Sequence, residues 1–150
     1  GTRDLKKPLC RLRWLDLGSN MMQDEGAVAL AEALGPAVPI TRLNIRDNQV
    51  GVHGCLAIGH AVARCSATLR RLDLAHAGFG DAGAVALARG LRTAGAFTPY
   101  PPAPGASSVS RNGGSGSTHR GAGALRVLEL GFNAIGAAGA RALVDALTSS

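Results

Sequence analysis

The chain is poor in aromatic residues: one Trp, one Tyr and three Phe in 150 residues. Its core must therefore be aliphatic, built from Leu, Ala, Val and Ile. No apolar run is long enough to cross a membrane, because Gly or charge breaks each one. Residues 1–13 are polar and charged, unlike a secretory leader. Three cysteines, Cys10, Cys55 and Cys65, are too few and too irregular for a disulfide framework. No Asn-x-Ser/Thr acceptor occurs. Both absences point to a cytoplasmic, intracellular home. Lysine is scarce as well: Lys6 and Lys7 are the only two, and Arg supplies the other 14 of the 16 basic residues behind a net charge of +6. The Arg residues are spread along the chain and form no basic run, which favours a solvated surface over a nucleic-acid patch.

What the chain does have is an internal repeat. Segments starting at Leu12, Ile40, Leu69 and Leu125 align without gaps over 23 positions. They read LRWLDLGSNMMQDEGAVALAEAL, ITRLNIRDNQVGVHGCLAIGHAV, LRRLDLAHAGFGDAGAVALARGL and LRVLELGFNAIGAAGARALVDAL. Positions 1, 4, 6, 11, 16, 19 and 23 are apolar in every repeat. Positions 1, 4 and 6 suit a short strand whose alternation sends 4 and 6 inward and 3, 5 and 7 outward. Positions 16, 19 and 23 lie on one face of a helix. Asp24 and Asp81 stand where an N-cap would start that helix, and Gly35 where a C-cap would end it. Position 15 is Gly in all four repeats (Gly26, Gly54, Gly83, Gly139), which implies a tight backbone approach or an unusual dihedral angle.

Each unit is strand, turn, helix. None can bury its apolar face alone, so the units must stack. Right-handed crossovers then give one parallel sheet with helices outside. The expected fold is α/β, a right-handed solenoid with the sheet on its concave face. Position 9 is Asn20, Asn48, Ala77 and Asn133. A buried Asn there satisfies backbone groups of a turn that has no ladder. Ala77 breaks the column, and His76 beside it is the nearest polar substitute.

The pattern LxxLxLxxNxx followed by GAxALAxAL resembles the ribonuclease-inhibitor-like subfamily of leucine-rich repeats, horseshoe-shaped solenoids. The likeness covers residues 9–91 and 125–147, and the intervals of 28 and 29 residues fit it. It implies a protein-binding scaffold or sensor, as in NOD-like receptors and ciliary scaffold proteins. Ran GTPase-activating proteins share the repeat type, so regulation of a small GTPase is an alternative reading. Nucleic-acid binding through Arg is a third. The resemblance implies no cofactor and no enzymatic activity.

Between Leu91 and Leu125 runs a stretch rich in Pro, Gly and Ser. Residues 92–124 read as a disordered insertion in a single domain spanning 1–150. Its Tyr100-Pro101-Pro102-Ala103-Pro104 is a minimal PxxP, and a linker is the better reading. Leu5 lies seven before Leu12 and reads as the tail of a preceding helix. Since neither end carries a polar cap, further repeats are expected at both ends.

His53, Cys55, His60 and Cys65 form H-x-C-x4-H-x4-C, a spacing that invites a metal reading, but the frame opposes it: Cys55 takes a core position and His60 a solvent position. No nucleophile motif is present, so no catalytic or metal residues are assigned. The functional expectation falls on the outward strand positions. Position 3 gives Trp14, Arg42, Arg71 and Val127; position 5 gives Asp16, Asn44, Asp73 and Glu129; Arg46 stands at position 7. Of these, Trp14, Asp16, Arg42, Asn44, Arg46, Arg71, Asp73 and Glu129 are the expected partner contacts.

Overall fold

A computed structural model of the chain describes residues 11–65, 68–92 and 125–148. Four strand–helix units follow one another: β1 (Trp14–Asp16) and α1 (Gln23–Ala33), β2 (Arg42–Asn44) and α2 (Val52–Arg64), β3 (Arg71–Asp73) and α3 (Gly80–Arg92), β4 (Val127–Glu129) and α4 (Ala137–Thr148). The strands form one parallel sheet in chain order. Equivalent repeat positions pair: Leu15 with Leu43, Leu43 with Leu72, Leu72 with Leu128. The helices pack in the same order, each on the next.

The core is aliphatic, as the scarcity of aromatics requires, with Phe79 the one ring in it among the described residues. Its centre is the second and third repeats, where Leu43, Ile45, Ile58, Leu72, Leu74 and Leu87 are sealed from water. In the outer repeats the same columns are only half-buried, as at Leu15, Leu17, Leu128 and Leu130. The columns are sealed only in the central repeats and lie open at the outer faces. Leu12 is 46% and Leu147 45% exposed, and Ala140 is exposed as well. No neighbouring unit covers them among the described residues.

The strand-to-helix turn is built on a left-handed residue at position 8: Ser19, Asp47, His76 and Phe132 all have φ between 55 and 60°. A turn this tight leaves backbone groups without ladder partners, and the position-9 Asn supplies them. Asn48 donates through Nδ2 to the Leu17, Ile45 and Arg46 carbonyls and accepts the Met22 N–H. Asn133 donates to the Leu74 and Leu130 carbonyls and accepts the Ala77 and Gly78 N–H groups. Each buried Asn thus ties its own repeat to the one before. Ala77 cannot, and His76 does not replace it: its ring is exposed and stacks on Phe132, with centroids 4.2 Å apart.

The position-15 glycines serve close approach. A Cβ on Gly54 would lie 2.9 Å from Ala27 Cβ, and one on Gly139 would lie 2.8 Å from Ala84 Cβ. None of the four has positive φ. At Gly59 and Gly90 the helices α2 and α3 meet backbone to backbone: a Cβ on Gly59 would lie 2.5 Å from the Leu87 carbonyl oxygen.

Two capping expectations need correction. Asp24 and Asp81 lie inside the first turn of α1 and α3 and do not cap their own helices. Asp24 Oδ1 accepts the Gly54 N–H of α2, and Asp81 Oδ1 accepts the Gly136 and Gly139 N–H groups at the start of α4. A carboxylate at position 13 reaches the next helix more readily than its own N-terminus. Gly35 is not left-handed. The carbonyls ending α1 are met instead by the Arg64 guanidinium of the next repeat, which bonds Ala31 and Leu34. Leu5, Cys10 and almost all of the 92–124 insertion, with its PxxP, lie outside the described residues.

Candidate interaction face

Because each strand is only three residues long, its outward side chains at positions 3 and 5 sit between two loops. Pairing in register aligns them into rows. Trp14, Arg42, Arg71 and Val127 form one row, and Asp16, Asn44, Asp73 and Glu129 the next. Arg46 follows on the same side of the second repeat and is exposed. The structure thus brings together all eight residues singled out in the sequence.

They are not equivalent. The position-5 row is largely engaged in ending the strands. Asp16, Asn44 and Asp73 each accept through Oδ1 the N–H two residues on, at Gly18, Arg46 and Ala75. Such turns stop a strand by offering its backbone a side-chain partner. Asp16 also accepts the Asn44 amide at 2.9 Å. Glu129, one carbon longer, instead pairs with Arg71. Among the described residues, the Arg42 and Arg46 guanidinium groups have no hydrogen bond or ion pair. Trp14 is 60% exposed. It closes one end of a depression of about 180 Å³, lined also by Arg42, Leu43, Asn44, Arg71 and Asp73. The face therefore presents an apolar ring and free cationic donors, beside carboxylates each engaged through one oxygen.

A further row escaped the alternation argument. Position 2, just before each strand, carries Arg13, Thr41, Arg70 and Arg126. The backbone fixes their alignment. The Arg13 carbonyl accepts the N–H groups of Thr41 and Arg42, that of Thr41 those of Arg70 and Arg71, and that of Arg70 those of Arg126 and Val127. The three Arg are exposed. The signal was present in the repeat alignment as a column.

Among the described residues no three His, Cys, Asp or Glu side chains converge. Cys55 is buried and its thiol is pushed up to about 12 by burial and by the Asp24 carboxylate. Burial raises the Cys65 thiol too, against the pull of Arg64. His60 is half-buried, not solvent-facing as its repeat position suggested. Burial and then the Arg64 charge lower its pKa. Among the described residues no helix is long and apolar enough to cross a membrane.

Stacked strand–helix units on a single parallel sheet define a repeat solenoid of the α/β class. A profile described as Leucine Rich repeat matches residues 10–31, 39–59, 65–88 and 125–144, together more than half of the chain, and the chain belongs to the leucine-rich-repeat family. The matched stretches follow the four units of the structure. No curated protein matches the chain. Repeats of this family generally mediate protein–protein interaction and are typically non-enzymatic modules.

Proposed function

We propose that this chain is a ribonuclease-inhibitor-like repeat segment that binds a partner protein on the open face of its sheet. Trp14, Arg42, Arg46 and Arg71 are the principal contacts, and Asp16, Asn44, Asp73 and Glu129 set the polar rows beside them. The observation that carries the reading is the depression in which the exposed Trp14 stands in register with Arg42. Trp and Arg are the residue types that most often dominate binding energy. Their backbone is already held in a sheet, which lowers the ordering cost of association. Among the described residues the helical side offers no comparable row: Glu32, Arg89 and Asp145 are exposed but differ in charge from repeat to repeat.

Four further parts of the proposal start from the sequence. The intervals of 28 and 29 residues and the working Asn48 and Asn133 support the ribonuclease-inhibitor-like type. Free, buried Cys55 and Cys65 suit a reducing cytoplasm. The exposed Leu12, Val144 and Leu147 support further repeats stacking on the outer units. Residues 92–124 are proposed as an insertion that the stack does not need, so a short connector in place of 95–121 should leave the melting temperature unchanged or raised.

The test of the face is a pull-down from cell extract with the full-length protein, wild type against the Arg42→Ala, Arg71→Ala double variant. The variant should lose partners that the wild type retains, with unchanged circular dichroism because both side chains face solvent. Identical partners for both proteins would remove the assignment.

A further inference from the structure

The open face is electrically lopsided. On the edge where the strands begin, Arg13, Arg42, Arg70, Arg71 and Arg126 lie within two adjacent rows. In the row behind them stand Asp16, Asp73 and Glu129. Two of these carboxylates are held in strand-ending turns, and the third is paired with Arg71. The Arg13, Arg42 and Arg126 guanidinium groups have no partner among the described residues. A row of exposed, like charges, some unpaired, repels itself and gains most from a ligand that brings the opposite charge.

We propose that this edge is a basic rail that takes an acidic, extended segment of the partner protein, laid across the strands from Arg13 towards Arg126. The proposal rests on the protein-binding reading above and names the chemistry of its partner. The dimensions fit. Four strands about 4.8 Å apart span about 14 Å between the outer rows, the reach of about four extended residues. Side chains on one side of such a segment recur about every 7 Å, within the swing of a long Arg side chain. Guanidinium groups bind carboxylates through paired donors, so each Glu or Asp of the segment can be held by two hydrogen bonds.

The neighbouring rows choose between an acidic peptide and a nucleic acid. Asp16, Asp73 and Glu129 stand next to the rail. A peptide offers them backbone N–H groups and polar side chains between its own acids. A nucleic acid presents phosphate along its whole length and meets those carboxylates with like charge. Stacking would also need more than one ring, and Trp14 is the only aromatic residue in the position-3 and position-5 rows.

Trp14 is the single tryptophan of the chain and sits on this face, so its emission reports occupancy. The full chain is titrated with an alternating Glu-Ser peptide, an alternating Lys-Ser peptide of equal length and an oligothymidylate of similar length. The Glu peptide should shift Trp14 emission and bind about tenfold or more tightly than the Lys peptide, with an affinity that falls as salt rises. The Arg13→Ala, Arg126→Ala double variant should weaken it by about tenfold while leaving the circular dichroism unchanged. Preference for the Lys peptide, with Trp14 still responding, overturns the rail and leaves the open face as the binding surface through its carboxylates. Tighter binding of the oligothymidylate through the same Arg residues overturns the peptide in favour of nucleic acid. Binding of the Glu peptide that ignores Arg13 and Arg126 and leaves Trp14 emission unmoved overturns both the rail and the open-face reading.

Discussion

Asp24 Oδ1 lies 2.9 Å from the Gly54 nitrogen, so the carboxylate in the first turn of one helix closes the N-terminus of the next. Asp81 does the same for α4 through Gly136 and Gly139, at 2.7 and 3.0 Å. The aspartate accounts for the glycine it bonds: a Cβ would come within 2.7 Å of the Asp24 oxygen at Gly54 and within 2.6 Å of the Asp81 oxygen at Gly139. Position-13 aspartate and the position-15 glycine of the next repeat are one device that ties the first unit to the second and the third to the fourth. Asp24→Ala should cost about 1 kcal/mol, the usual worth of a helix cap, and Asp24→Asn much less, since its amide oxygen still accepts. Urea denaturation of both variants measures this. Equal losses for Ala and Asn would show that charge, not the hydrogen bond, matters.

Ala77→Asn should be neutral or stabilising by about 1 kcal/mol, the net worth of a satisfied hydrogen bond. By analogy with Asn48, the new amide would reach the Ile45 and Leu74 carbonyls, each of which has a second lone pair to offer. Its oxygen would accept the Val50 N–H, as Asn48 accepts that of Met22. A clear loss of stability in urea would mean that Ala77, 3% exposed, has no room for the larger group.

The fold was legible because apolar periodicity in a stacked repeat is redundant: Leu43 and Leu72 occupy the same column for the same reason. The outward rows at positions 3 and 5 followed from strand alternation alone. What the alternation could not place was the Arg row at position 2, which precedes the strand, where period two no longer applies. Asp24, Asp81 and Arg64 were misread or missed because their bonds run from one repeat to another. Local capping rules look for a partner within four residues, and here the partners are 30 or more away in sequence. The graded burial of equivalent leucines was also hidden, since a single repeat motif does not say which units are central.

That gradation gives its own test. Leu72→Ala removes a side chain with no exposure from the middle of the sheet and should cost about 2–5 kcal/mol. Leu15→Ala changes the same column in the first unit, where the leucine is half-buried, and should cost distinctly less. Thermal or urea unfolding compares them. Equal costs would mean that Leu15 is as well covered as Leu72.

Cys55 predicts a pH dependence. Its thiol is raised from 9.0 to about 12 in the folded chain, first by burial and then by Asp24. The folded state therefore holds the proton more tightly than the unfolded state does. The stability this contributes is complete below about pH 9 and is lost as pH rises towards 12. Urea titrations across this range should show a loss that Cys55→Ala diminishes. Cys55 should also resist alkylation at pH 8 until the chain unfolds. Rapid alkylation of Cys55 in the native protein would contradict its burial.

Arg64 carries the last prediction. Helix α1 ends without a left-handed glycine, at Leu34 with φ −80° and ψ 121°, so its last carbonyls need a donor from elsewhere. The Arg64 guanidinium provides one group to both the Ala31 and Leu34 oxygens. It also places a positive charge at the negative end of the helix dipole. Arg64→Ala would leave both carbonyls short of a partner and should cost about 1–3 kcal/mol. Arg64→Lys keeps the charge, but its ammonium lies one bond closer to the backbone than the Nη2 that donates to both oxygens, so it should recover only part of the loss. Urea denaturation gives both values, and hydrogen exchange at the α1–α2 junction shows where the loss falls. If Lys restores full stability, the charge on the helix end is what matters and the longer reach of the guanidinium is not. If Ala costs nothing, the α1 terminus is satisfied without Arg64.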